Sequence, residues 1–292
     1  ILLSITAKHK SVEKILVTGG LGYIGSHVVV ELQKMNFEVI VIDDLSNSSL
    51  NVLSGIEKIT GIKPEFEKID LKKKSDVLEF FTRHLDIDGV IHFAASKAVC
   101  ESVTNPLKYY ENNISALVNI LQELGKLDSQ KLIFSSSCTV YGQADELPIT
   151  ENSPIKEAES PYGNTKIVGE QIIKDYCIAN PSLRAISLRY FNPIGAHGSA
   201  KIGELPNGVP QNLVPFITQT AIGIREELSV FGNDYATPDG TCIRDYIHVE
   251  DLAKAHVFAI KRLLEKKNLV SSEVFNIGTG KGASVLEVIK AL

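Results

Sequence analysis

The chain has 292 residues, 44% of them hydrophobic and 22% charged, the mix of a globular protein with material for one large domain or two ordinary ones. A net charge of -5 offers no surplus of cations to phosphates, which excludes a general nucleic-acid binder. It leaves room for a small phosphorylated ligand held by backbone N–H groups at a helix start.

Residues 1–7 are apolar but too short to span a bilayer, and they lack the charged start of a signal peptide. A first residue of Ile1 rather than Met suggests a fragment or a processed product. Residues 14–18 read as a buried strand, followed by a glycine loop and a helix from about Tyr23 to Met35. A second strand over 39–42 closes at Asp43, and an alternating run over 65–69 closes at Asp70. Residues 90–93, 132–134 and 184–188 are further apolar runs, the first two each preceded by a helix-like stretch. Strands apolar on both faces and separated by helices predict an α/β fold, a Rossmann-type doubly wound parallel sheet.

After Asn192 the texture changes, and Gly and Pro crowd the stretch from Pro193 to Pro215. That suits a smaller, loop-rich substrate-binding region at the C-terminal end. The expected division is therefore 1–191 and 192–292, the second partly interleaved with the first. Residues 275–280 read as a strand and turn, and a helix begins at Ser284 in which the chain stops. The four cysteines, Cys100, Cys138, Cys177 and Cys242, have neither CxxC spacing nor a histidine cluster. A reducing, cytoplasmic setting without a bound metal or membrane segment is the expectation.

The segment Thr18-Gly19-Gly20-Leu21-Gly22-Tyr23-Ile24-Gly25 carries glycines at 20, 22 and 25, and also at 19, 22 and 25. The first glycines allow a tight turn and close approach to a pyrophosphate; Gly25 lets the helix pack near the strand. Asp43 follows Gly25 by eighteen residues at the end of the next strand. A carboxylate there accepts hydrogen bonds from ribose hydroxyls and repels a 2′-phosphate, so NAD is favoured over NADP. Asp44 is given no role.

Ser160-Pro161-Tyr162-Gly163-Asn164-Thr165-Lys166 reads as a helix start, with Ser160 as N-cap. Tyr162 and Lys166 then share one face. A nearby ammonium and a cationic nicotinamide favour the phenolate, which makes Tyr162 a candidate base. Ser135, Ser136 and Ser137 follow the strand at 132–134, where a hydroxyl at the C-terminal end faces the ligand crevice. One of the three can share a proton with Tyr162; at least one other is expected to cap the turn.

On these residues the chain resembles the extended short-chain dehydrogenase/reductases, and within them the UDP-glucose (UDP-galactose) 4-epimerases, from about Lys14 to Leu292. The resemblance also rests on Val90-Ile91-His92-Phe93-Ala94-Ala95, Tyr109-Tyr110-Glu111-Asn112-Asn113, Leu188-Arg189-Tyr190-Phe191-Asn192-Pro193, Phe231-Gly232-Asn233 and Arg244-Asp245-Tyr246-Ile247-His248-Val249. Fungal members, often fused to a mutarotase, look similar. The resemblance implies Ser137 as the catalytic serine, beside Tyr162 and Lys166. It implies NAD contacts at Gly19, Gly22, Tyr23, Ile24, Gly25, Asp43, Asn47, Asp70, Leu71, Phe93, Lys97, Asn112, Tyr162, Lys166 and Phe191. UDP-sugar contacts fall on Ser137, Asn192, Asn212, Leu213, Phe231 and Arg244, and a guanidinium suits a diphosphate. Read without the resemblance, Lys97 and Asn112 are surface residues and Phe231 is core.

The implied activity is interconversion of UDP-galactose and UDP-glucose, through oxidation at C4, rotation of the 4-keto sugar and re-reduction, by a homodimer. A 4,6-dehydratase on the same scaffold usually carries Thr-Asp-Glu where this chain has Ser137-Cys138-Thr139. Without those carboxylates it lacks the acid and base for loss of water. A catalytically idle NAD-binding regulator is the remaining rival. Two departures stand out: Ala95-Ser96 where the family usually has Gly-Leu, and an end before the family's second UDP-binding arginine and the residue that limits N-acetyl substrates.

Overall fold

A computed structural model describes residues 12–292, and the reading of residues 1–7 lies outside them. In chain order the elements are β1 (Lys14–Thr18), α1 (Tyr23–Lys34), β2 (Glu38–Asp43), α2 (Asn51–Thr60), β3 (Glu65–Lys68), α3 (Lys74–Arg83) and β4 (Gly89–His92). Then come α4 (Val99–Thr104), α5 (Pro106–Leu124), β5 (Lys131–Ser135), a 3₁₀ turn (Cys138–Tyr141), α6 (Pro161–Ala179), β6 (Arg184–Tyr190) and β7 (Asn192–Ile194). The last are α7 (Leu213–Ala221), β8 (Ile243–His248), α8 (Val249–Leu264), β9 (Ser272–Ile277), β10 (Gly282–Ser284) and α9 (Val285–Ala291).

Among the described residues, seven strands form one sheet in the order β3-β2-β1-β4-β5-β6-β9. Every neighbouring pair in it is parallel. The order reverses between β1 and β4, and ligands of such sheets bind outside the carboxyl ends of the strands at that switch point. This is the doubly wound fold expected from the alternation of apolar runs and helices.

The sheet is buried on both faces because its strands are apolar on both. One face packs Phe80 and Phe81 of α3, Leu117 and Ile120 of α5 and Ile173 of α6 on Leu16, Val90 and Leu132. The other packs Val28 and Leu32 of α1, Ile56 of α2 and Val257 and Ile260 of α8 on Ile15, Val17 and Ile133. Residues past Asn192 supply α8 and β9 to this layer arrangement and also build a second sheet, β10-β8-β7. There β8 runs antiparallel to β10 and parallel to β7. Ser284 caps α9 through a reciprocal box with Glu287, the two-sided satisfaction of end groups that starts a helix cleanly. No helix of the described residues is long and apolar enough to cross a membrane.

Candidate active site

The loop after β1 is shaped by what glycine leaves out. Gly19 sits at φ 67°, the left-handed region that costs a side chain 1–2 kcal/mol or so. A Cβ there would lie 2.8 Å from the Ala94 nitrogen on the strand-end beyond β4. A Cβ on Gly25 would lie 2.3 Å from the Gly19 carbonyl oxygen, so α1 can begin against the loop only with glycine in place. Gly22 is the N-cap of α1 and brings no side chain to cap it. The first-turn N–H groups around Tyr23, Ile24 and Gly25 thus face a cradle without a Cβ, which fits the pyrophosphate of a dinucleotide.

Asp43 ends β2 beside this loop, buried at 8% exposure. Its Oδ2 accepts from the Leu21 N–H at 3.1 Å, and its Oδ1 accepts from the Leu45 N–H at 3.0 Å and the Ser48 hydroxyl at 2.7 Å. A carboxylate offers about four acceptor positions, so capacity remains for a ribose hydroxyl. Asn47 lies on the same loop. Past β3, Asp70 holds Lys72 through its N–H and its ammonium, and Leu71 is buried. Past β4, Phe93 donates its N–H to Thr18 at 3.0 Å and sets its ring 4.7 Å from that of His256. Lys97 is half exposed, its ammonium 6.0 Å from the Tyr23 ring centre. Asn112, on α5, donates to the Ser96 hydroxyl at 3.2 Å. Phe191 bridges β6 and β7, its N–H donating to Ile277 at 3.1 Å. Read from the switch point outward, these positions come from the ends of four strands and one helix.

Ser160 caps α6 as the sequence predicts, accepting from the Gly163 N–H at 3.1 Å. Tyr162 and Lys166 follow one turn apart, both buried. The Lys166 ammonium donates to the Ser135 carbonyl at 2.6 Å and stands 5.8 Å from the Tyr162 ring centre. Burial holds Lys166 down to about 8, with Glu170 one turn further along pulling the other way. Burial also raises the Tyr162 phenol well above its ordinary value, and the nearby Ser137 hydroxyl opposes that rise. Ser137 is itself fixed by accepting from the Thr139 N–H at 3.2 Å, at the start of the 3₁₀ turn. Of the three serines, Ser135 pairs its hydroxyl with Tyr190 at 2.6 Å and Ser136 donates to Glu170, which leaves the Ser137 hydroxyl for the phenol whose titration it influences.

Beneath them runs a buried polar chain that the sequence reading missed. Arg189 grips Glu170 with two bonds of 2.9 and 2.6 Å and donates a third to Tyr141 at 2.8 Å. Tyr141 in turn donates to Asn276 at 2.6 Å. A signal for Glu170 was present, because it continues the face of Tyr162 and Lys166 at four-residue steps. Its partner on β6 could be found only in three dimensions.

Of the positions expected to meet the sugar nucleotide past residue 191, two lie on the smaller sheet and the others at the start of α7 and in the stretch that follows it. Asn192 heads β7 and donates to the Asp245 carbonyl at 3.1 Å. Asn212 precedes α7, whose first residue is Leu213, and donates to Glu204 at 2.6 Å. Arg244, on β8, donates to the Ile243 carbonyl and lies near enough to Cys138 to draw its thiol down against burial. Phe231 is 88% exposed, which overturns the core reading of that residue: it lies in the irregular stretch between α7 and β8 with no layer over it. A separate cleft where β5 and β6 begin, lined by Asp128, Lys131, Arg184 and Lys266, contains none of these residues.

A glycine cradle at the switch point of a doubly wound sheet, with a serine past the carboxyl end of β5 and a buried Tyr–Lys pair opening α6, defines a dinucleotide-dependent protein of the short-chain dehydrogenase/reductase type. The chain belongs to the NAD dependent epimerase/dehydratase family, whose pattern matches residues 15–278. It is 50% identical over 280 residues to a UDP-glucose 4-epimerase of Dictyostelium discoideum, covering 96% of this chain and 80% of that protein. The UDP-glucose 4-epimerase of Bacillus subtilis is 50% identical over 277 residues, covering 95% and 80%. The crystal structure of UDP-glucose 4-epimerase from Bifidobacterium longum in complex with NAD+ and UDP superposes with a TM-score of 0.90 at 46% identity, over 95% of this chain and 82% of that one. The resemblance expected from the motifs is borne out, and the dehydratase alternative is not favoured.

Proposed function

We propose that this chain interconverts UDP-galactose and UDP-glucose by NAD-dependent oxidation at C4, rotation of the 4-keto sugar and re-reduction. The observation that carries the reading is the buried Tyr162–Lys166 pair, the Lys166 ammonium 5.8 Å from the Tyr162 ring centre and bound to the Ser135 carbonyl of β5, in the sheet that carries the glycine cradle. Relatives bearing that activity support it across most of the chain. Residues 1–191 are assigned to NAD, and residues 192–292 to the UDP-sugar. NAD, when bound, supplies the hydride acceptor and donor.

The protein's own work is with protons and position. Tyr162 takes the proton of the sugar 4-hydroxyl and later returns it. The Ser137 hydroxyl stabilises the phenolate by hydrogen bonding, and the Lys166 ammonium does so by charge. A phenol so deeply buried needs both, since burial alone pushes it away from the charged form. Asn192, Asn212, Leu213 and Arg244 hold the nucleotide half, which leaves the hexose free to turn. Uniform grip on UDP with loose grip on the sugar is what a reaction on both faces of C4 demands. The proposed assembly is a cytoplasmic homodimer, for which the exposed Val99, Val103 and Leu107 on α4 and α5 offer an apolar face.

The test is direct. Purified protein is given UDP-galactose, and UDP-glucose is followed with a coupled dehydrogenase, for wild type and for Tyr162→Phe. Formation by wild type and its loss in the variant are expected; equal rates in both would remove Tyr162 as the base.

A further inference from the structure

One carboxylate touches both halves of the site. Glu204 lies midway along the loop that joins β7 to α7, and its side chain is only 12% exposed. Its Oε1 accepts from the Asn212 amide nitrogen at 2.6 Å and from the Lys97 ammonium at 3.3 Å. Lys97 follows β4 on the cofactor side, whereas Asn212 opens α7 on the sugar-nucleotide side.

The loop that delivers Glu204 is strapped to the cofactor half. Tyr23, in the first turn of α1, donates its hydroxyl to the Gly195 carbonyl at 2.6 Å. A Cβ on Gly195 would lie 2.4 Å from His248 Nε2, and one on Gly55 of α2 would lie 2.6 Å from the Lys201 carbonyl oxygen. Ile202 is buried at 5% exposure in the same cluster as Leu53 and Ile56. Such close approaches leave the strap little freedom, so the position of Glu204 depends on the cofactor half being in order.

A carboxylate only accepts hydrogen bonds, whereas a carboxamide has one accepting and one donating end. Glu204 therefore fixes which way the Asn212 amide faces: nitrogen toward Glu204, oxygen turned away to take a donor from a ligand. On the other side it holds one of the three N–H groups of Lys97 and leaves two for an anion.

We propose that Glu204 is a positioning residue that couples the two ligand sites, so that a nucleoside diphosphate at Asn212 tightens the hold on the dinucleotide beside Lys97. The proposal rests on the assignment of NAD and UDP-sugar to the two halves. Coupling of this kind is reciprocal, each ligand changing the other's affinity by the same factor.

The experiment measures NAD loss from the purified holoenzyme by ultrafiltration, with and without saturating UDP, and the UDP Kd by calorimetry. In wild type UDP slows NAD loss by about fivefold or more. In Glu204→Gln, which can present either end of an amide to Asn212, that ratio falls toward one and the UDP Kd rises about tenfold. Saturated turnover, read alongside, changes far less than the Kd. Glu204→Asp keeps the charge but is too short to span both partners, and it is read in the same way should the glutamine variant fold poorly. An unchanged ratio and Kd in the variants, or no effect of UDP in wild type, overturns the coupling alone. A wild-type protein that binds neither NAD nor UDP overturns the functional reading with it.

Discussion

The pair of Glu170 and Arg189 gives a prediction whose size follows from its burial. Their side chains are 9% and 5% exposed, and two bonds of 2.9 and 2.6 Å join them. Arg189 also donates to Tyr141, and Glu170 accepts from Ser136. Glu170→Leu leaves the guanidinium buried without its counter-charge, which costs about 3–5 kcal/mol. The stranded Ser136 hydroxyl adds roughly 1–3 kcal/mol. Arg189→Met strands the carboxylate in the same way, at about 3–5 kcal/mol. The double variant removes both charges and strands only the Ser136 hydroxyl, because Tyr141 keeps its bond to Asn276. Its loss is therefore expected at about 1–3 kcal/mol, far under the sum of the singles. Urea unfolding followed by circular dichroism measures all four proteins. Additive losses, or single losses below about 1 kcal/mol, refute the argument that the pair is held together by shared desolvation. A second readout reaches the chemistry: Glu170 opposes the effect of burial on Lys166, so its removal shifts the alkaline limit of turnover below about 8.

Three further outcomes are expected. Gly25→Ala puts a Cβ 2.3 Å from the Gly19 carbonyl oxygen, a backbone atom that cannot rotate aside, so the loop must open. Strain of about 1–3 kcal/mol should raise the NAD Kd about tenfold or more by calorimetry, and an unchanged Kd would show that the loop is softer than its contacts imply. Ser137→Ala removes the hydroxyl proposed to steady the Tyr162 phenolate and should lower turnover by ~10²-fold with the NAD Kd unchanged; a change in Kd alone would contradict that role. His256 is buried and held at about 4, below its ordinary 6.5. The unfolded chain then binds more protons than the folded one between those values, so stability falls as pH drops through 6.5 toward 4. His92, held by burial at about 3, acts in the same direction further down. Replacing His256 by leucine should flatten the melting temperature over that window, and an unaltered slope would assign the acid lability elsewhere.

Local signals made the first half of the chain legible. The strand at Lys14–Thr18 and the start of α1 fell where the motif placed them, because turn, cap and apolar run sit within a dozen residues. The Ser160 cap was equally local. The second sheet was not legible: its strands are three to six residues long, and β7 and β8 meet across about fifty residues with no period to announce the pairing. Glu204 sits in a stretch rich in Gly and Pro, where neither helix nor strand spacing can say what a carboxylate faces. Phe231 failed for a different reason: apolar residues are common on surfaces, so hydrophobicity alone does not establish burial.

The carboxylate of Asp43 carries one more consequence. The same oxygens that stand ready for the ribose also hold the Leu21 N–H inside the glycine loop and the Ser48 hydroxyl beyond it. In the proposed NAD site, cofactor preference and loop shape are therefore written on a single side chain. A redesign that trades Asp43 for a residue tolerant of a 2′-phosphate unpins the pyrophosphate loop in the same stroke. It has to rebuild that loop before it can welcome the new nucleotide.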